Sequence, residues 1–134
     1  MLTPFHIAFQ VRDIAEARDF YGTKMGMPEG RSDEKWIDFN MYGHQVVVHL
    51  NPELGPTGRI AIYCNPVDDH AVPVPHLGVV LEIDQWKELS ERVRTFVDKF
   101  IIEPYVRFEG QPGEQYTMFF DCLLYTSPSP RDRG

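Results

Sequence analysis

Three histidines are placed where they could do chemistry. His6 opens the stretch Pro4–Val11, PFHIAFQV, and His76 opens PHLGVVLEI seventy residues later. His49 stands near the end of Val46-Val-Val-His-Leu50. Imidazole nitrogens brought to three corners suit a first-row divalent metal, with a carboxylate and water completing the shell. A lone strand histidine is more often a packed or solvated group. Two that hold the same place in repeated frames are stronger evidence, because duplicated modules bring equivalent positions into one cleft. His44, of opposite strand parity to His49, reads as a hairpin residue bonding locally, and His70, in Asp68-Asp-His70, as a solvated turn. Glu82 shares a strand face with His76, but six residues span ~20 Å at about 3.3 Å each, and Gln10 is likewise ~13 Å from His6. Both could touch only the far end of a bound substrate.

The elements that must position these side chains follow from periodicity. In a strand, Phe5, Ile7, Phe9 and Val11 form one apolar row, with His6, Ala8 and Gln10 on the other face. Leu77, Val79, Leu81 and Ile83 repeat that row, opposite His76, Gly78, Val80 and Glu82. Asp13 followed by Glu16 is a capping-box pattern, and Ile14, Ala17, Tyr21 and Met25 give a helical stripe that ends at Gly26. A short strand near Pro28–Arg31, then Trp36–Met41 and Gln45–Leu50 joined at Tyr42-Gly43, complete the first module. Asn51–Pro75 carries Pro52, Pro56, Pro66, Pro73 and Pro75 and reads as linker, mostly loop, with only Arg59–Tyr63 alternating as a strand. Strand His76–Ile83, a helix capped by Asp84 and running to about Phe100, and strands Ile101–Phe108 and Glu114–Asp121 repeat the order. In that helix Trp86, Leu89, Val93, Phe96 and Val97 fall at core spacing. The fold class is therefore α+β, with a first module over 1–51, a linker over 52–74 and a second module over 75–121.

The totals exclude several classes. A chain of 134 residues is one domain, and a net charge of −7 leaves no basic footprint for nucleic acid or an anionic membrane. Two cysteines outside any metal or redox spacing, and no long apolar run, predict a cytoplasmic protein without a membrane segment. The end of the chain breaks the pattern. Cys122–Asp132, CLLYTSPSPRD, back-translates with suitable codons into the transposon end and adapter of tagmentation sequencing libraries. Residues 122–134 are accordingly expected to be a non-native tail without stable packing, in place of the second module's last strand.

With these residues in view, the chain resembles the vicinal oxygen chelate superfamily of glyoxalases, extradiol dioxygenases, fosfomycin-resistance transferases and bleomycin-binding proteins. The resemblance rests on His6 in PFHIAFQV, FYGTKMGM at the end of the first helix, His49 in VVVHL, His76 in PHLGVVLEI and the closing MFFD. It implies two βαβββ modules, the second lacking its final native strand, forming an open U-shaped mixed sheet around a cleft. It implies His6, His49 and His76 as ligands of a divalent metal (Fe, Zn, Ni or Mn), with a catalytic glutamate lost beyond Asp121. The implied activity, in the intact parent protein and impaired in the chain as it stands, is a glyoxalase-like, metal-dependent lyase or isomerase acting on a small molecule with vicinal oxygens. An extradiol-type dioxygenase is the alternative, and a non-catalytic antibiotic-binding protein the second. Arg107, Trp36 and Tyr105 are candidates to hold the substrate, and a homodimer is expected.

Overall fold

The computed structural model describes residues 3–58, 61, 63–67, 70–112 and 114–120. Its first half is a strand, a helical segment and three further strands. β1 (His6–Val11) leads to α1 (Ile14–Ala17), which continues as a π-helix over Arg18–Lys24. Asp13 caps α1, its carboxylate accepting the Glu16 N–H at 2.8 Å. Glu16 does not return the bond but pairs with Arg12 at 2.7 Å, so only half of the expected capping box forms. The stripe Ala17, Tyr21 and Met25 is buried, at a spacing of four residues. Gly26, at φ +76°, then ends the segment in the left-handed conformation.

β2 (Glu29–Asp33), β3 (Trp36–Met41) and β4 (His44–Leu50) follow. Tyr42 and Gly43, with φ of 52° and 94°, supply the two left-handed residues of a tight hairpin, and the Asn40 side chain accepts the Gly43 N–H at 2.7 Å. The sheet order is β1-β4-β3-β2, with β1 parallel to β4. Ile37 and Phe39 from β3, Val46 and Val48 from β4, and Val11 pack under Tyr21 and Ala17. Phe5 is a correction to the predicted apolar row. It lies before β1, half exposed, with its ring against His44 at 4.7 Å and its N–H donated to His44 Nδ1.

The linker is less irregular than its prolines suggest. It contains a short 3-10 turn (Pro52–Leu54) and a hairpin of β5 (Tyr63–Val67) and β6 (His70–Val74). Pro66 and Pro73 fit because a two-stranded ribbon is all edge, so a missing N–H can face away from the ladder. The predicted strand Arg59–Tyr63 falls largely outside the described residues.

The second half departs from its prediction at His76–Ile83, where no strand forms. A strand needs a ladder partner. In the first half that partner of β1 is β4, and 76–82 pair with no strand among the described residues. The alternation nevertheless persists: Leu77, Val79 and Leu81 are half-buried while His76, Gly78, Val80 and Glu82 are exposed. The helix, α2 (Ile83–Arg94), is capped by Glu82 rather than Asp84, with Gln85 Oε1 accepting the Glu82 N–H, and it stops at Arg94, short of Phe100. Leu89 and Val93 join the core, with Phe96 and Val97 packed at its margin. Arg92 reaches back to the end of the first helical segment, donating to Lys24 O at 2.7 Å and Thr23 O at 3.2 Å. β7 (Phe100–Arg107) and β8 (Gln115–Phe120) pair antiparallel, within a residue or two of the predicted strands. The mixed α+β class holds; the first module has the full βαβββ order, and the second shows its helix and two strands among the described residues.

Candidate functional site

One face of the four-stranded sheet is covered by the helices, and the other carries the polar side chains. The register arranges that second face in three rows. His6 lies opposite Gln45, and Gln45 opposite Asn40. Ala8, Val47 and Asp38 form the middle row. Gln10, His49 and Trp36 form the third, with Asp33 beyond Trp36 at the β2 edge.

The first row orients His6. Its Nδ1 is 2.7 Å from Gln45 Oε1. An amide oxygen only accepts, so Nδ1 is the donor there and Nε2 is left for another partner. His76 is held alike: Nδ1 lies 2.6 Å from Pro73 O, which again requires the proton on Nδ1. Its ring rests edge-on against Phe119 at 5.3 Å. Metal-ligating imidazoles carry this kind of second bond, which fixes the tautomer and aims the other nitrogen.

His49 does not share that corner. It sits opposite Gln10, four residues along the ladder from the His6 row, or ~13 Å. Imidazole–metal bonds are about 2.0–2.1 Å, so His6 and His49 cannot meet on one ion. Among the described residues no three His, Cys, Asp or Glu side chains come together as a metal site. The three-histidine set therefore does not fit one metal, while His6 and His76, by tautomer, each suit a ligand role. The residue actually beside His6 is Gln45. It has the strand parity of His49, so sequence narrowed the choice to one face, but the parallel register that selects between them is a tertiary fact. The expected glutamate falls in 122–134, outside the described residues.

The proposed substrate contacts separate too. Trp36 is half-buried beside His49, with the Arg31 guanidinium over its ring at 5.8 Å. Tyr105 and Arg107 lie on the β7–β8 ribbon, which shares no ladder with the first sheet among the described residues, and Arg107 covers the Phe108 ring at 5.0 Å. Sequence reasoning passed over Arg31 and Asn51: Arg31 lies in the short, wholly exposed β2, where no apolar row marks a face, and Asn51 just past the end of β4. A separate cleft of about 380 Å³ lies between the helices, lined by Met25, Met27, Tyr42, Glu88 and Arg92 among others. There burial first, and the Glu88 charge next, raise the Tyr42 phenol above its ordinary value, with Arg92 opposing.

Comparison with known proteins places the chain. The sequence model of the Glyoxalase/Bleomycin resistance protein/Dioxygenase superfamily matches residues 3–121. No curated protein matches it. Among solved structures, a glyoxalase/bleomycin resistance protein/dioxygenase from Alicyclobacillus acidocaldarius is similar at TM-score 0.64 and 24% identity, over 91% of this chain and 86% of that one. The fosfomycin resistance protein FosX from Mesorhizobium loti aligns over 100% and 98% of the two chains at 12% identity and TM-score 0.45. A possible glyoxalase from Bacillus cereus aligns over 78% and 80% at 17% identity and TM-score 0.40. The first of these likenesses is one of fold, and it agrees with the family match. The chain belongs to the glyoxalase/bleomycin resistance protein/dioxygenase superfamily.

Proposed function

We propose that this protein is a metal-dependent enzyme acting on a small molecule with neighbouring oxygens, with His6 and His76 as the imidazole ligands. The observation that carries this reading is the shared anchoring: each histidine Nδ1 lies within hydrogen-bond distance of an accepting oxygen, at 2.7 and 2.6 Å, which leaves Nε2 as the nitrogen to meet a metal. A divalent ion there would act as a Lewis acid on the paired oxygens. The chain's own residues do the rest. Gln45 and Pro73 O hold the two rings, so neither must reorient when a ligand arrives. Trp36 offers a flat apolar surface, and Arg31 over it supplies positive charge. Tyr105 and Arg107 would serve substrate only from the second ribbon.

Among the activities of the family, a glyoxalase-like lyase or isomerase remains the leading reading, with an extradiol-type dioxygenase as the second. The position of His49 favours keeping the second. With His49 off the ligand set, two imidazoles plus one carboxylate is the facial arrangement suited to non-haem iron. The net charge of −7 and the absence, among the described residues, of any helix able to cross a membrane support a cytoplasmic protein. We further infer a homodimer, consistent with the unpaired outer edge of β1 among the described residues. The test is a calorimetric titration of the chain with Ni²⁺, Zn²⁺ and Mn²⁺ beside its His76→Ala variant. One site lost in the variant is expected; equal uptake by both would refute the assignment.

A further inference from the structure

We propose that the third row of the polar face is a carboxylate-recognition subsite, so that the substrate is elongated, with its reacting oxygens at one end and an anionic group at the other. The inference rests on the proposed site at His6 only for its direction, since the third row stands by its own geometry. Gln10, His49 and Trp36 lie side by side across three strands. Asn51 Nδ2 donates to Gln10 Oε1 at 2.6 Å, while Asn51 Oδ1 accepts the Glu53 N–H at 3.0 Å. That chain of bonds engages the Gln10 oxygen and leaves its Nε2 hydrogens available to donate. Arg31 adds a guanidinium over the indole, and among the described residues it makes no ion pair. His49, exposed beside them, makes no hydrogen bond to any described residue. Donors, a fixed positive charge and an aromatic face thus converge in one row. An arginine fork is matched to a carboxylate.

Two carboxylates border the row and limit where an anion can sit. Asp33 Oδ1 accepts the N–H of Glu34 at 2.6 Å, which turns it into its own loop. Asp38 stands in the middle row beside Val47 and Ala8. A negative group is repelled there, and Val47 and Ala8 offer it no donor. The anion therefore belongs to the third row and an uncharged linker to the middle one. The span from the His6 row is ~13 Å at four residues of strand.

Tryptophan fluorescence tests this directly in a Trp86→Phe background, which leaves Trp36 as the sole reporter. The probes are p-nitrobenzoate, a flat anionic quencher, and p-nitrobenzyl alcohol, its neutral counterpart. Saturable quenching by the acid is expected, weakened about ten-fold by Arg31→Gln and several-fold by His49→Ala, with the alcohol binding at least ten-fold more weakly. Equal binding of acid and alcohol, or acid binding untouched by Arg31→Gln, overturns the proposal. A Ni²⁺ titration of the same variants separates the two readings. Acid recognition with no metal uptake would sink the metal assignment and leave the subsite. Metal uptake with no acid preference would do the reverse.

Discussion

Replacing Gly26 with alanine tests the joint between the two halves of the fold. Gly26 has φ +76°, where an L side chain is strained by about 1–2 kcal/mol. A Cβ built there would lie 2.8 Å from Arg92 Cζ, so the guanidinium must swing away. It then gives up its bonds to Lys24 O and Thr23 O, which close the first helical segment from 68 and 69 residues away in sequence. Those exposed bonds are together worth about 1 kcal/mol. Gly26→Ala should therefore cost about 2–3 kcal/mol and lower Tm by on the order of 10 °C. Arg92→Ala, which removes only the bonds, should cost about 1 kcal/mol. The two effects overlap, so the double variant should be more stable than their sum by about 1 kcal/mol. Urea denaturation of all four proteins measures the cycle. Strict additivity, or a neutral Gly26→Ala, would show that Arg92 does not tie α2 to the first module.

Other outcomes follow from single contacts. Val93→Ala empties a fully buried position where α2 meets the core and should cost about 1.5–3 kcal/mol by denaturant midpoint. Asp13→Ala removes the bond to the Glu16 N–H and should cost about 1 kcal/mol, with Asp13→Asn recovering most of it. The Tyr42 phenol is raised by burial and by Glu88 and lowered by Arg92, so its folded form holds the proton more tightly. It contributes stability below the ordinary tyrosine range that is lost as pH rises through the raised value. Glu88→Gln should bring its ultraviolet titration down and Arg92→Ala push it up, each read against Tyr42→Phe; movement in the opposite sense would contradict the cause assigned.

The first module was legible because its signals are local. Asp13, Gly26, the Tyr42-Gly43 turn and the alternation of Trp36–Met41 each act within a few residues, and each appears where periodicity put it. His76–Ile83 shows the limit. Its alternation survives in the burial of Leu77, Val79 and Leu81, yet 76–82 are not a strand, since a strand is a property of a pair and alternation alone supplies no partner. The hairpin 63–74 was obscured by prolines that an edge ribbon tolerates. At the site, the polar face could be read from parity, and His6, Gln10, Gln45 and His49 do share it. What parity cannot supply is the stagger of two parallel strands. That stagger sets Gln45 beside His6 and moves His49 to the other end.

The central claim is that His6 and His76 take a metal while His49 belongs to a different row. It is tested most directly by titrating the chain with Co²⁺ and recording its visible spectrum for wild type, His6→Ala, His76→Ala and His49→Ala. One site is expected in wild type and in His49→Ala, and its loss in each of the other two. Loss of the site in His49→Ala, or its survival in His6→Ala, would contradict it.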